Sequence, residues 1–206
     1  MKRLFGIVAG LVLAAGVSAQ EVAPDALIKG VTEDVLNIVR KDKDIQNGST
    51  KKAIELVETK VLPYFDFVHM TQLALARNWR QATPAQQKAL TDEFHALLVR
   101  TYSKALTEYK NQTIDYKPFK MQASDTDVKV RTEIKQPGGK PIQLDYYLDK
   151  QDKGWKVYDI EVGGISLIIN YRESFATEVR QGGIDGLIKS LQTKNKSGEA
   201  TVAKKS

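Results

Sequence analysis

Histidine is the first residue type to weigh for chemistry, because a chain without cysteine has no thiolate to offer a metal or a substrate. His69 and His95 lie far apart, and neither belongs to an H-E-x-x-H motif or a comparable metal-ligand spacing. His95 follows Phe94 on an amphipathic stretch and is expected on a helix flank. Asp66 precedes His69 by three residues, so on a helix the two share a face, as a general base oriented by a carboxylate requires. The same spacing is that of an Asp N-cap followed by a polar neighbour, and this plainer role is the expected one. No G-x-S-x-G elbow is present, and Ser166 has no identifiable base. Gly163-Gly164 and Gly182-Gly183 lack the Lys-Ser/Thr of a phosphate loop and the G-x-G-x-x-G of a dinucleotide fold, and read as backbone breaks. No catalytic residue, metal or cofactor is assigned.

The elements that must position these groups begin after a leader. Met1-Lys2-Arg3, the apolar run Leu4 to Ala15 and the small-residue pattern Val17-Ser18-Ala19 predict a signal peptide over residues 1–19, cleaved after Ala19. No cysteine follows the cleavage site, so no lipid anchor is expected there. Export predicts the periplasm. A single domain is expected over residues 20–192, followed by a polar, Lys-rich, disordered tail over 193–206. Of the formal net charge of +6, two positive charges belong to the leader. The mildly basic remainder reads as an ordinary solvated surface, and nucleic acid is a poor partner for an exported chain.

Apolar spacings of three and four predict helices from about Asp25 to Arg40, and from a Ser49 cap to Pro63. A third starts near Asp66. The longest is opened by Thr83-Pro84-Ala85-Gln86, an N-cap, a first-turn proline and a capping-box glutamine, and runs to about Tyr109, a rod about 40 Å long. The period then becomes two. Val128, Val130, Thr132 and Ile134 form one strand, Ile142, Leu144, Tyr146 and Leu148 a second, and Trp155 to Val162 a third, joined as an antiparallel meander with a possible edge strand over Phe119 to Ala123. In the third strand Trp155 and Val157 fall on one face and Tyr158, Ile160 and Val162 on the other, which predicts cover on both sides. Gly163-Gly164 ends that strand, Ser166 is expected to cap a helix carrying Leu167, Ile168, Tyr171, Phe175 and Val179, and Gly182-Gly183 ends the helix.

Two long stretches resemble the MlaC (toluene-tolerance) family. The first comprises Tyr64-Phe65-Asp66-Phe67, Met70-Thr71, Leu73-Ala74-Leu75, Asn78-Trp79-Arg80 and Ala82-Thr83-Pro84 with Gln87. The second comprises Trp155 to Ile160, Gly164-Ile165-Ser166-Leu167-Ile168, Asn170-Tyr171-Arg172, Phe175, Gly183 and Leu187-Ile188. The chain departs from the pattern at Ala76, where many relatives carry glycine, and at Gly163, where an acidic residue is frequent. Ala76 is compatible with a helical backbone. The resemblance implies an α+β fold of the nuclear-transport-factor-2-like type, a curved antiparallel sheet with helices packed over its concave face, enclosing an apolar cavity for acyl chains. It implies a periplasmic carrier that shuttles phospholipid between an outer-membrane lipoprotein complex and an inner-membrane ABC transporter complex with a lipid-binding periplasmic subunit, maintaining outer-membrane lipid asymmetry. A monomer without catalysis or cofactor, with phospholipid as cargo, is expected.

The residues expected to line that cavity are Val68, Leu73, Phe94, Leu97, Leu98, Thr101, Tyr102, Ala105, Leu144, Tyr146, Trp155, Val157, Ile165, Ile168, Tyr171 and Phe175. Asn170 and Arg172 are head-group candidates. Periodicity reports burial and not empty space, so each of these positions is equally compatible with plain core. Two other functions remain open. Related cone-shaped folds host isomerases and hydratases with an Asp/His/Tyr set, types that Asp66, His69 and Tyr102 supply; a periplasmic adaptor without ligand is the other.

Overall fold

The computed structural model describes residues 22–197, so the leader and its cleavage site lie outside the described residues. Helix α1 (Pro24–Lys41) has a first-turn proline, Asp25 in its first turn and Arg40 and Lys41 in its last, charges that complement the helix dipole. A short helix that periodicity did not predict, α2 (Lys43–Gln46), is capped by the Asp42 carboxylate, which accepts from the Asp44 and Ile45 amides. Ser49 caps α3 (Thr50–Lys60). Asp66 caps α4 (Phe67–Leu75), accepting from the His69 amide at 2.9 Å. Helix α5 (Pro84–Thr107) opens on the complete Thr83/Gln86 capping box.

Five strands follow in the order β1 (Thr113–Tyr116), β2 (Asp127–Lys135), β3 (Ile142–Gln151), β4 (Gly154–Val162) and β5 (Ile165–Ser166), each antiparallel to the next. The edge strand is Thr113–Tyr116, and not Phe119 to Ala123 as expected. The alternating Thr-Ile-Asp-Tyr run pairs with Thr132 to Lys135, whereas Phe119 packs against the sheet's apolar cluster. Gly163 and Gly164, with φ of 58° and 83°, make the two-residue turn between β4 and β5. Both central residues lie at positive φ, a conformation that favours glycine.

The expectation of apolar groups on both faces of β4 is corrected by a bulge. Pairing runs Tyr147 with Asp159 and then Leu148 with Val157, so Tyr158 is an extra residue and the alternation shifts by one. Trp155, Val157, Ile160 and Val162 therefore all share the face of Leu144, Tyr146 and Leu148. The opposite face is polar. There the Lys129 ammonium lies 2.8 Å from Asp145 and 2.9 Å from Glu161, and Tyr147 donates to Glu161 at 2.7 Å.

After β5, Ser166 Oγ accepts from the Ile169 amide at 2.9 Å, but Ser166 remains in β5 and the single 3₁₀ turn that follows, Ile169–Tyr171, starts after Ile168 with no side-chain cap, so the expected Ser166 helix cap is corrected. Helix α6 (Arg172–Ser197) follows and is broken at Gly183, whose φ of 67° and ψ of −173° belong to a region that only glycine occupies readily. The helix continues through Ser197, so residues 193–197, expected in a disordered tail, are helical, with Asn195 donating to the Glu93 carbonyl. The rest of the expected tail lies outside the described residues.

Ala76 also departs from expectation. Its φ of 49° and ψ of −123° are not helical, because the chain reverses there from α4 into a 3₁₀ segment, Ala76–Gln81. A residue with a Cβ is strained in that conformation.

Candidate functional site

The apolar face of the sheet is closed at one end and open at the other. At the closed end Val128, Val130, Leu148, Trp155 and Val157 are buried under Ile28 of α1. At the open end, along the same strands, Ile134, Ile142, Leu144, Ile160 and Val162 are only half-buried. Tyr146 stands between the two ends. Part of its surface is accessible, yet burial pushes its hydroxyl up to about 12. Tyr146 thus marks the boundary between the closed end and the recess that the half-buried residues leave at the open end.

Helix α1 crosses this recess. Thr32 interacts with the hydroxyls of both Tyr146 and Tyr116, and burial raises the Tyr116 hydroxyl as well. Immediately outside lies a groove of about 300 Å³ between α1 and β1, lined by Leu36, Asn37, Arg40, Ile114 and Tyr116 among others. Arg40 donates to the Tyr109 hydroxyl at 2.9 Å, which fixes one edge of its guanidinium at the rim. A second groove, of about 460 Å³, lies on the polar side of the sheet and includes Arg131, Glu133, Gln143 and Asp145. Neither groove is lined by a residue predicted from sequence to touch lipid.

The predicted lining residues divide into three groups. Leu144, Tyr146, Trp155 and Val157 share the sheet face just described. Phe94, Leu97, Leu98, Ile168, Tyr171 and Phe175 are buried in a helical core of α4, α5 and α6, with Leu73 and Tyr102 packed against it. That core is filled. Phe94 meets Tyr171 and Phe175 edge-on, each at 5.1 Å between ring centroids, a preferred aromatic geometry. Half-buried Thr101 sits beside Tyr102 and Tyr171, whose hydroxyls interact and are both raised by burial. In the third group, Val68 and Ile165 are about half exposed and Ala105 is exposed. These three stand on the outward side of their elements, outside both apolar clusters.

The head-group candidates flank the start of α6. Asn170 is exposed. Arg172 spends Nε and Nη2 on the Leu73 carbonyl, at 3.1 and 2.9 Å, tying α6 to the end of α4. Thr32, Tyr116, Ile160 and Val162 were missed as site residues. Thr32 lies on α1, far in sequence from the strands it meets, Tyr116 lies on the edge strand β1, which periodicity did not reveal, and the last two were assigned to the wrong face by uninterrupted alternation.

The set Asp66, His69 and Tyr102 is not assembled. Asp66 and His69 are together, but Tyr102 belongs to the helical core, and the tyrosine stacked on His69 is Tyr158, at 4.4 Å between centroids. His95, on the α5 flank, lies against Phe67 at 4.4 Å, and burial lowers its pKa below the usual histidine value.

Comparison with known proteins bears on this geometry. The family described as MlaC protein matches residues 29–193. The intermembrane phospholipid transport system binding protein MlaC of Haemophilus influenzae is 24% identical over 175 residues, covering 84% of this chain and 82% of that one. The toluene tolerance protein ttg2D of Pseudomonas putida is 26% identical over 192 residues, with 87% and 88% covered. Among solved structures, a phospholipid-binding protein from Ralstonia solanacearum, in complex with a phospholipid, is 42% identical and aligns with a TM-score of 0.78 over 84% of this chain and 97% of that one.

Proposed function

Because the chain belongs to the MlaC family, we infer that it is a phospholipid carrier of an intermembrane transport system. The observation that carries this is the relative with phospholipid bound, at 42% identity over 84% of the chain. The physics sets what such a protein must do. A phospholipid with roughly 30 buried methylenes, at about 0.8 kcal/mol each, needs on the order of 24 kcal/mol to leave a bilayer unaided. A carrier therefore has to offer an apolar recess nearly as favourable as the bilayer, yet not much more so, or the cargo is never released.

We propose that the open end of the sheet's apolar face, around Leu144, Tyr146, Ile160 and Val162, receives the acyl chains beneath α1. The head group is then expected at the groove between α1 and β1, where Arg40 offers a guanidinium and Asn37 an amide. Support comes from the gradient of burial along the strands and from the state of Tyr146. No catalytic step is assigned. The chain is proposed to act in the periplasm as a monomer, receiving and delivering lipid at an outer-membrane lipoprotein complex and at an inner-membrane ABC transporter with its lipid-binding subunit. Direction is left to those partners, since no nucleotide motif is present in the sequence. Among the described residues no helix is long and apolar enough to cross a membrane.

The test is mass spectrometry of lipid extracted by solvent from the mature chain purified without detergent, beside the same chain refolded lipid-free. Near-stoichiometric phospholipid in the first sample and none in the second is expected. Well-folded protein that yields no phospholipid would favour the adaptor without ligand.

A further inference from the structure

One side-chain cluster away from the lipid recess has the composition of a metal site. Asp66 and His69 at the start of α4 and Asp149 near the end of β3 bring one possible ligand atom each to within 4.8 Å of one another. His69 Nδ1 lies 3.0 Å from Asp149 Oδ2. Two ligand atoms on one transition-metal ion, each about 2.0–2.2 Å from it, stand roughly 2.8–3.6 Å apart, from octahedral to tetrahedral geometry. The His69–Asp149 pair already has a spacing in that range, and an ion would replace the hydrogen bond between them from one side of the N···O line. The remaining separation closes by rotating short carboxylate arms.

Both Asp66 oxygens are engaged, and the one that faces the cluster is held by a side chain that can turn away. Its Oδ1 caps α4, accepting from the His69 amide, and its Oδ2 accepts from the Gln151 amide nitrogen at 2.5 Å. That nitrogen also donates to Asp149 Oδ1 at 3.3 Å. A single NH₂ group thus lies between two carboxylates, the position a cation takes, and turning the amide over presents Oε1 as a fourth ligand, the third oxygen of the set.

The surroundings hold the cluster in place. The Asp66 amide donates to the Val157 carbonyl at 2.9 Å, and His69 stacks on Tyr158, whose hydroxyl donates to Asp127 at 2.8 Å. Asp127 lies directly opposite Asp149 across the β2–β3 ladder, adding a third carboxylate to the neighbourhood. The His69 and Asp149 side chains remain 30% and 24% exposed, which leaves a path for an ion.

We propose that Asp66, His69 and Asp149 bind a divalent first-row transition metal, with zinc the best match. Two carboxylates and a neutral imidazole neutralise the dication, and the imidazole disfavours magnesium and calcium, which take oxygen alone. The bound ion ties the first turn of α4 to β3, and so couples the helical core to the sheet. The inference does not rest on the carrier reading, and its test uses no lipid.

The test is titration of the chelator-treated mature chain with Zn²⁺ in competition with a chromophoric chelator, alongside thermal melting with and without the ion. One equivalent bound with a Kd of about 10 μM or tighter is expected. His69→Ala and Asp149→Asn should each weaken binding at least about tenfold and remove the zinc-dependent rise in Tm. His95→Asn, which changes the only other histidine, should bind as the parent does. Should His69→Ala not fold, Asp149→Asn decides. Zinc affinity unchanged in Asp149→Asn or in folded His69→Ala, affinity lost in His95→Asn, or a parent Kd near 1 mM would overturn the proposal.

Discussion

The helical core and the apolar face of the sheet are built from the same kinds of side chain and close differently. In the helical core Phe94, Leu97, Phe175, Leu187 and Leu191 are each no more than 1% exposed, and aromatic rings interlock edge to face. On the sheet, burial is complete at Leu148 and Val157 and gives way to half-burial at Leu144 and Val162, a few residues along the same strands. Helices pack by rotating and sliding until their ridges fill grooves. A sheet face has a fixed pleat and width, and α1 covers only part of it. The less well packed region is the one proposed to receive the acyl chains.

The largest effect that tests this contrast is on stability. Phe94→Ala should cost about 3–5 kcal/mol, because a filled site leaves a cavity. Leu144→Ala should cost less than about 1.5 kcal/mol, because its neighbours already leave it accessible. Urea unfolding of both variants checks this, and equal losses would break the contrast. Next in size is an effect on cargo: Leu144→Trp, which fills the recess, should reduce co-purified phospholipid by more than half with little change in Tm, whereas Val68→Trp on the surface should leave it unaltered. Quantifying extracted phosphorus per protein measures both.

A smaller effect sharpens the helical side. Ala76→Gly should stabilise the chain by about 1 kcal/mol, since it relieves a positive φ at a residue bearing a Cβ. A rise in Tm checks this, and a fall would place the strain elsewhere. The last effect concerns Tyr146 and is confined to alkaline pH. Its hydroxyl is pushed up to about 12 from an ordinary value near 10, so the folded state holds the proton more tightly than the unfolded one. The resulting stability is complete below about pH 10 and is lost as pH rises toward 12, about 2–3 kcal/mol in all. Tyr146→Phe should flatten that alkaline slope in unfolding measured between pH 9 and 11.5.

Much of this architecture was legible in the sequence, because its signals are local. The Thr83 capping box, the Asp66 and Ser49 caps and the period-two strands each depend on residues a few positions apart. The family resemblance added a function that no motif of catalysis contradicts. What escaped was non-local or uncounted. One extra residue at Tyr158 reversed the inferred face of Ile160 and Val162. Asp149 lies 80 positions from His69, so no spacing rule links them. Phe94 and Leu144 both read as buried apolar positions, and periodicity does not distinguish a wall from a filling. Ala76 read as helical because its residue type suits a helix, and only the reversal of the chain shows otherwise.

The most direct test of the central claim is to load the mature chain with a phospholipid that carries a photoactivatable diazirine on one acyl chain, irradiate it, and map the cross-linked peptides by mass spectrometry. Adducts concentrated on the strand residues 134–162 and on α1 are expected. Adducts confined to peptides of α5 and α6, or none despite stoichiometric loading, would contradict the assignment of the sheet's open face as the acyl-chain site.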